Sequence, residues 1–217
     1  MNLEITMVRI LGKASSINVR KVLWTCTELG LDIGREDWGS GFRPTQDPAF
    51  LALNPHALVP VLVDGDAVLR ESNTICRYLA TRYGDGRDDS LLPRDALARA
   101  RVEQWMDWQA TELNNAWRYA FMGLLRGSAD HRDPALIAAS VAEWNRQMGL
   151  LEAHLAQGGD YVAGAAFSLA DVVLALSTHR WRKTPMDARP DYPAIAAWVA
   201  RLQTRPGYRA WCPDDIA

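Results

Sequence analysis

The pattern of hydrophobic and polar positions changes near residue 90, from mixed strand and helix patterns to helix patterns alone. Residues 5–11 are almost continuously apolar and rich in branched side chains, which is typical of a buried strand. Apolar positions then recur at helical spacing up to Gly30, a residue suited to capping a helix C-terminus. Residues 31–38 fit a second strand. This order predicts a right-handed crossover between two parallel strands.

A hairpin and a further helix complete the first predicted domain. Residues 59–63 and 67–69 flank Asp64-Gly65-Asp66, a turn sequence that predicts a β-hairpin. A short helix over 48–53 precedes the hairpin, and a helix over 72–83 follows it. This order of elements is compatible with a thioredoxin-like sheet, and several other α/β folds share it.

The second half of the chain is predicted to be all-helical. Residues 85–93 have the composition of a linker. Beyond them, helical patterns cover 94–127, 134–157, 169–182, 192–204 and 206–211. We therefore expect two domains, an α/β domain of residues 1–84 and an all-α domain of residues 93–217. Ser168 and Asp171 have the spacing of a capping box at the start of one of the helices.

Composition and charge argue against several classes of function. The chain has 217 residues, of which 48% are apolar and 23% charged, as in ordinary globular proteins. A formal net charge of -2, without a cluster of lysine or arginine, argues against a nucleic-acid partner. The three cysteines have neither metal-binding nor disulfide spacing, so no metal site is expected. No secretory signal or membrane-spanning stretch is visible, which favours a cytoplasmic protein without a membrane partner.

Three motifs of the first domain occur in a characteristic order. They are Gly12-Lys13-Ala14-Ser15-Ser16-Ile17-Asn18, Asn54-Pro55-His56-Ala57-Leu58-Val59-Pro60-Val61-Leu62 and Glu71-Ser72. Together with Ser168-x-x-Asp171 in the second domain, they resemble the cytosolic glutathione transferase family over nearly the whole chain. The resemblance implies a thioredoxin-like domain that binds glutathione, followed by an all-helical domain. Glutathione is then a co-substrate, and no cofactor is implied.

The resemblance implies how the second and third motifs bind glutathione. In the family, the residue before a cis-proline contacts the cysteinyl part of glutathione through its backbone, and here Val59 precedes Pro60. Ser72, at a helix N-terminus, is expected to bind the γ-glutamyl carboxylate. Glu71 is expected to receive the ammonium group of the ligand, although a solvated charge near the helix dipole explains it as well.

The partner of the glycyl carboxylate is less clearly indicated by the second motif. His56 and Ala57 replace the family's usual Asn-Gly, and Leu58 occupies a place often taken by lysine. The carboxylate must then find another cation. Arg43 and Lys13 are the candidates in this chain.

The first motif is expected to carry the catalytic hydroxyl. Ser16-Ile17-Asn18 maps onto a Ser-Trp-Asn stretch that holds the catalytic serine of the plant phi class. A hydroxyl beside helix N–H groups favours thiolate over thiol, so Ser16 is the expected donor to sulfur and Asn18 a possible second one. Alignment to the bacterial beta class instead selects Ser15, and alignment to the theta or zeta classes selects Lys13, which has no hydroxyl. Both serines would also serve as ordinary helix caps.

An apolar second substrate needs a pocket lined by aromatic and aliphatic side chains. The candidates are Trp105, Trp108, Trp117 and Tyr119, although their helical spacing also fits core packing. The resemblance further implies a homodimer. Asp107 would then reach the glutathione amine across the interface, and a solvated helix face explains this residue equally well.

Three functions fit these residues. The first is conjugation of glutathione to small hydrophobic electrophiles, a detoxifying activity. The second is glutathione-dependent reduction of disulfides or peroxides. Family members that exchange thiols through their own cysteine have it at the helix start, where this chain has serine. The third is a non-catalytic glutathione-binding protein, against which the retention of all three motifs argues.

Overall fold

The computed structural model describes residues 7–84, 91–187 and 189–214, and the chain divides into two compact units at residues 90 and 91. The described part of the first unit, 7–84, contains a four-stranded sheet and helices. The described part of the second unit is built from helices. The predicted fold class, an α/β domain followed by an all-helical domain, is therefore confirmed.

The sheet of the first unit joins a crossover unit to a hairpin. The elements in chain order are β1 (Val8–Leu11), α1 (Ile17–Leu29), β2 (Ile33–Glu36), α2 (Pro48–Leu51), β3 (Val61–Asp64), β4 (Ala67–Arg70) and α3 (Ser72–Tyr83). The strand order is β2-β1-β3-β4. β1 and β2 are parallel, whereas β3 is antiparallel to both β1 and β4. The predicted crossover and the predicted hairpin are both confirmed.

The first unit buries an apolar face of α1 and of α3, and the two helices contact each other. Val22 and Trp24 of α1 and Ile75 and Leu79 of α3 are fully buried. Gly30 ends α1 as predicted, in the left-handed conformation with φ of 65°, and its N–H bonds carbonyl groups of the last turn. A side chain would make this conformation costly, by about 1–2 kcal/mol.

Two predicted strands are shorter in the structure. β2 covers Ile33–Glu36 rather than 31–38, because Trp38 already belongs to a loop and bridges to Arg43. β1 begins at Val8. Residues 5 and 6 of the predicted first strand lie outside the described residues, as do residues 85–90 of the predicted linker.

The second unit follows the predicted succession of helices. They are α4 (Ala96–Trp108), α5 (Asn114–Leu124), α6 (Pro134–Leu155), α7 (Leu169–Lys183), α8 (Pro193–Leu202) and α9 (Pro206–Trp211). A short 3₁₀ turn, Ala129–His131, precedes α6. No helix in the described ranges is long and apolar enough to cross a bilayer.

The helical pattern predicted over 94–127 contains a π-helical turn, Gln109–Leu113, between α4 and α5. The turn widens the helix by one residue, and such turns have no signature in apolar spacing. Asn114 supports it, because its Oδ1 accepts hydrogen bonds from Gln109 Nε2 and Trp117 Nε1, each at 3.0 Å. One amide therefore links the first residue of the turn to a residue of α5.

Asp171 joins three parts of the second unit. The predicted capping box with Ser168 is present, and Asp171 Oδ2 accepts from the Ser168 N–H at 2.9 Å. Asp171 Oδ1 accepts from the Val162 N–H at 3.0 Å and from Trp198 Nε1 of α8 at 2.9 Å. Asp171 is fully buried, and so is the whole of α7 from Leu169 to Trp181. The carboxylate thus links the start of α7 to the loop that contains Val162 and to α8.

Asp171→Ala is expected to lower the free energy of unfolding by about 3–5 kcal/mol, because several buried N–H donors lose their acceptor at about 1–3 kcal/mol each. Urea denaturation of purified protein measures the change. The matched control is Asp133→Ala, which removes the exposed N-cap of α6 and should cost about 1 kcal/mol. Equal losses in the two variants would contradict the role assigned to Asp171.

Candidate functional site

The register of the sheet brings the sequence motifs of the first unit to one edge, by which we mean the side of the sheet formed by the ends of its strands. Leu11, the last residue of β1, lies opposite both Glu36 and Val61. Val61 in turn lies opposite Arg70, the last residue of β4. The loops that follow β1, β2 and β4 and the segment that precedes β3 therefore emerge at the same end of the sheet. Residues 12–16, 37–43, 59–60 and 71–72 are all at this end.

Gly12 allows close packing at the centre of this edge. Its N–H donates to the Glu36 carbonyl at 2.8 Å. A Cβ built at Gly12 would lie 2.5 Å from Val19 Cγ2 and 3.0 Å from Val59 Cβ, which is too close for any side chain. Its φ of 151° also disfavours a side chain. The start of α1 and the segment before β3 thus meet across a glycine.

Ser16 is the N-cap of α1. Its N–H donates to the Lys13 carbonyl at 3.1 Å, and its own carbonyl accepts from the Arg20 N–H at 2.9 Å. The Ser16 side chain makes no capping hydrogen bond, and the first turn of α1 contains no acidic residue. Ser15, Ser16 and Asn18 are all half-buried. A helix N-terminus with an unused hydroxyl can stabilise an anion.

Val59 presents unused backbone groups beside Gly12. The Val59–Pro60 peptide bond is cis, as predicted from the resemblance. Val59 is half-buried and Pro60 is buried. Neither the N–H nor the C=O of Val59 forms a hydrogen bond with another described residue. Val59 lies just before β3, an inner strand of the sheet, and its open N–H and C=O can pair with an extended peptide as a neighbouring strand would.

Glu71 and Ser72 connect β4 to α3. Glu71 has φ of 68° and ψ of 110°, a conformation that costs a non-glycine residue about 1–3 kcal/mol. Its carbonyl accepts from the Ile75 N–H at 2.9 Å, while its side chain is exposed and caps nothing. Ser72 opens α3 as predicted and is 8% exposed. The N–H groups of the first turn of α3 lack a side-chain cap.

Two cations lie at the same edge, around the loop after β2. The guanidinium carbon of Arg43 lies 3.8 Å from the ring centre of Trp38, and its Nη1 is 3.8 Å from Glu36 Oε2. Lys13 Nζ donates to the Ser40 carbonyl at 2.9 Å. Leu58, on the segment before β3, has an exposed side chain. Arg43 and Lys13 are thus held in place, and each keeps further N–H donors.

The family of the chain follows from comparison with known proteins. Residues 11–87 match the N-terminal domain of glutathione S-transferases, and residues 134–201 match the C-terminal domain. Glutathione S-transferase GstB of Escherichia coli K12 is 38% identical over 205 residues, which cover 94% of this chain and 96% of that protein. The chain belongs to the glutathione S-transferase family.

A plant relative and a solved structure agree with this membership. Glutathione S-transferase 3 of Zea mays is 35% identical over 215 residues, 93% of this chain and 91% of that one. The crystal structure of the theta class glutathione S-transferase from Xanthomonas axonopodis pv. citri, with glutathione bound, matches with a TM-score of 0.87 at 36% identity. The match covers 95% of this chain and 97% of the Xanthomonas chain.

The aromatic residues predicted for the second-substrate pocket have different neighbours in the second unit. Trp105 and Trp108 form a T-shaped pair with ring centres 5.3 Å apart. The ring of Tyr119 lies 4.9 Å from that of His131. Trp117 belongs to neither pair. These ring contacts do not join the four residues to one another, and the pocket stays a prediction.

Trp117 contributes to a cluster around a buried arginine. The guanidinium carbon of Arg180 lies 4.5 Å from the ring centre of Trp117 and 4.1 Å from that of Phe121. Trp117 also lies 6.2 Å from the fully buried Trp144, measured between ring centres. Trp117 is half-buried, so one part of its ring packs in this cluster and another part is accessible.

All three cysteines are buried. Burial raises the pKa of the Cys26 thiol to about 12 and that of the Cys76 thiol to about 11. Both thiols are therefore protonated at neutral pH. Cys212, in the second unit, is also buried, and all three are free of disulfide bonds. No group of three or more potential metal ligands occurs among the described residues.

Gly12→Ala is expected to lower the free energy of unfolding by about 2–4 kcal/mol, because the added methyl group meets Val19 and Val59 in a disfavoured backbone conformation. Denaturant titration gives the value. Gly158→Ala is the control, since Gly158 also has a positive φ, 107°, but open space around its Cβ position. The control should lose only about 1–2 kcal/mol. Equal losses would contradict close packing at Gly12.

Proposed function

We propose that this chain is a glutathione transferase that activates the glutathione thiol as thiolate for attack on small hydrophobic electrophiles. The observation that carries the proposal is the meeting of three family motifs at one edge of the sheet. Those motifs bring together the starts of α1 and α3, neither of which has a side-chain cap, and the open backbone N–H and C=O of Val59. The Xanthomonas relative, described with glutathione bound, supports glutathione as the ligand.

The backbone of Val59 would bind the cysteinyl part of glutathione. Its N–H and C=O make no hydrogen bond with another described residue, and Val59 packs beside Gly12 just before β3. Pairing of an extended peptide with these open backbone groups supplies two hydrogen bonds without selecting a side chain. The cysteinyl sulfur would then lie near the start of α1, because Val59 and Val19 of α1 both pack closely against Gly12.

The γ-glutamyl group would lie at the start of α3. Its carboxylate suits the N–H groups and the hydroxyl of Ser72, because a helix N-terminus carries partial positive charge. Its ammonium group suits the exposed carboxylate of Glu71. The strained backbone of Glu71 supports a ligand-binding role, since such conformations cluster at ligand clamps.

The glycyl carboxylate would be bound by Arg43 or Lys13. Both lie at the loop after β2, at the same sheet edge as Val59. Leu58 has no charge to offer, so its exposed side chain would only flank this end of the ligand. Arg43 is the stronger candidate, because stacking on Trp38 orients its planar N–H donors for a carboxylate.

Ser16 would donate a hydrogen bond to the glutathione sulfur. A free thiol has a pKa near 8.5, and a depression of about two units makes thiolate the main form at neutral pH. The unused Ser16 hydroxyl and the N–H groups of α1 suit this task, whereas Ser15 lies one residue before the cap. Asn18, in the first turn, is a possible second donor. A serine in this role is neither a nucleophile nor a base.

The remaining features of the proposal rest on the family alone. We place the protein in the cytoplasm as a homodimer with a detoxifying role, and Trp105, Trp108, Trp117 and Tyr119 near the electrophile. The chain's own Cys26 and Cys76 do not support thiol exchange, because both are buried and protonated. Reduction driven by the bound glutathione thiolate would use the same site and the same Ser16.

Ser16→Ala is expected to raise the pKa of bound glutathione thiol by about one to two units toward its free value, because the hydroxyl donor to sulfur is lost. Ultraviolet absorbance of thiolate, titrated against pH with saturating glutathione, measures the change. Conjugation at neutral pH should fall by about tenfold or more in the same variant.

The control is Ser15→Ala, which should leave the pKa of the bound thiol unchanged. Wild-type protein that binds glutathione without lowering its thiol pKa would contradict the proposed mechanism. A rise of the thiol pKa in Ser15→Ala alone would move the catalytic hydroxyl to Ser15.

A further inference from the structure

A buried amide precedes the Val59 segment. Asn54, between α2 and β3, is only 2% exposed. Its Nδ2 donates to the Leu58 carbonyl at 2.7 Å, and its Oδ1 accepts from the His56 N–H at 3.1 Å. The Asn54 carbonyl also accepts from the Ala57 N–H at 3.0 Å. These three hydrogen bonds of Asn54 close residues 54–58 into a small turn.

The turn includes a backbone conformation that needs support. Ala57 has φ of 54°, in the left-handed region, where an alanine is disfavoured by about 1–2 kcal/mol. The two side-chain hydrogen bonds of Asn54 span Ala57, one to each neighbouring residue. The Asn54 amide therefore stabilises the strained turn and fixes the orientation of the Leu58 carbonyl.

The orientation of the Leu58 carbonyl determines the orientation of the Val59 N–H. The Leu58 carbonyl and the Val59 N–H belong to the same planar peptide group, so the hydrogen bond from Asn54 to Leu58 fixes the orientation of the Val59 N–H. On its other side, Val59 is joined to the buried Pro60. The N–H that would pair with glutathione has no hydrogen bond of its own to orient it.

We propose that Asn54 is a positioning residue for glutathione, which orders the Val59 peptide group before the ligand arrives. The proposal rests on the proposed function, because it concerns the backbone pair assigned to the cysteinyl part of glutathione. Asn54 does not touch the ligand. It acts by removing in the folded protein the conformational freedom that binding would otherwise have to remove.

The consequence is a specific loss of affinity. Without the Asn54 amide, the 54–58 turn samples other conformations, and only part of the population presents the Val59 N–H correctly. The apparent dissociation constant rises in inverse proportion to that fraction. We expect an increase of about tenfold, corresponding to about 1.4 kcal/mol, for loss of one to two buried hydrogen bonds.

The test compares three variants of the full chain by titration calorimetry with reduced glutathione. Asn54→Ala removes both side-chain hydrogen bonds. Asn54→Asp keeps an acceptor for the His56 N–H and removes the donor to Leu58, so it serves if the alanine variant folds poorly. Asn145→Ala is the matched control, because it deletes another buried amide, which accepts from Trp181 Nε1 at 2.8 Å in the second unit.

Thermal unfolding of each variant is measured beside the calorimetry, which is performed well below the midpoint. A positioning role predicts a dissociation constant raised about tenfold in both Asn54 variants and unchanged in Asn145→Ala, even if all three unfold at lower temperature. A merely structural role lowers the midpoint and leaves the dissociation constant of the folded protein at the wild-type value. That second result would overturn the proposal.

The two proposals fail in different ways. If the wild-type protein binds no glutathione, the proposed function fails and the inference about Asn54 fails with it. If the wild-type protein binds glutathione and both Asn54 variants bind it equally well, only the role of Asn54 is overturned.

Discussion

Gly12 leaves room for nothing larger than a hydrogen atom between the start of α1 and the segment before β3. That close approach links the two halves of the sheet, because Gly12 also bonds Glu36 at the end of β2. The antiparallel pairing of β3 and β4 then brings Glu71 to the same edge. Residues 12–16 and 59–60, more than forty residues apart in the chain, thus come together through strand register and a missing side chain.

The site contains polar groups that the fold leaves without a partner of their own. The Ser16 side chain does not cap α1, Val59 uses neither backbone group, and Glu71 is held in a strained conformation without capping α3. Binding of an extended peptide with a thiol and a carboxylate gives a reason for all of them. In the second unit, by contrast, several buried N–H donors share one acceptor, the carboxylate of Asp171.

Much of this architecture was predictable from the sequence, because its signals are local. The Asp64-Gly65-Asp66 turn, the end of α1 at Gly30 and the capping box at Ser168 each depend on a few neighbouring residues. The motif order also placed Ser16, Val59 and Ser72 together on the strength of the family resemblance. The edge that unites them follows from strand register, which local patterns do not specify.

Other features depend on contacts that no spacing rule encodes. The π-helical turn at Gln109–Leu113 is stabilised by the Asn114 side chain, and a regular helical pattern gave no sign of it. The sequence identifies Asn54 only as part of a motif, because its two hydrogen bonds across the 54–58 turn depend on the backbone conformation. The aromatic residues of α4 and α5 have the same spacing whether they pack in a core or line a pocket.

The central claim is that residues 12–16, 59–60 and 71–72 act together as one glutathione site. Hydrogen–deuterium exchange with and without saturating glutathione tests it most directly, because amides that bind a ligand exchange more slowly. We expect protection in peptides from all three segments at once, and none at the Asp64–Ala67 turn at the opposite end of the hairpin. Protection confined to one segment, or centred on that turn, would contradict the claim.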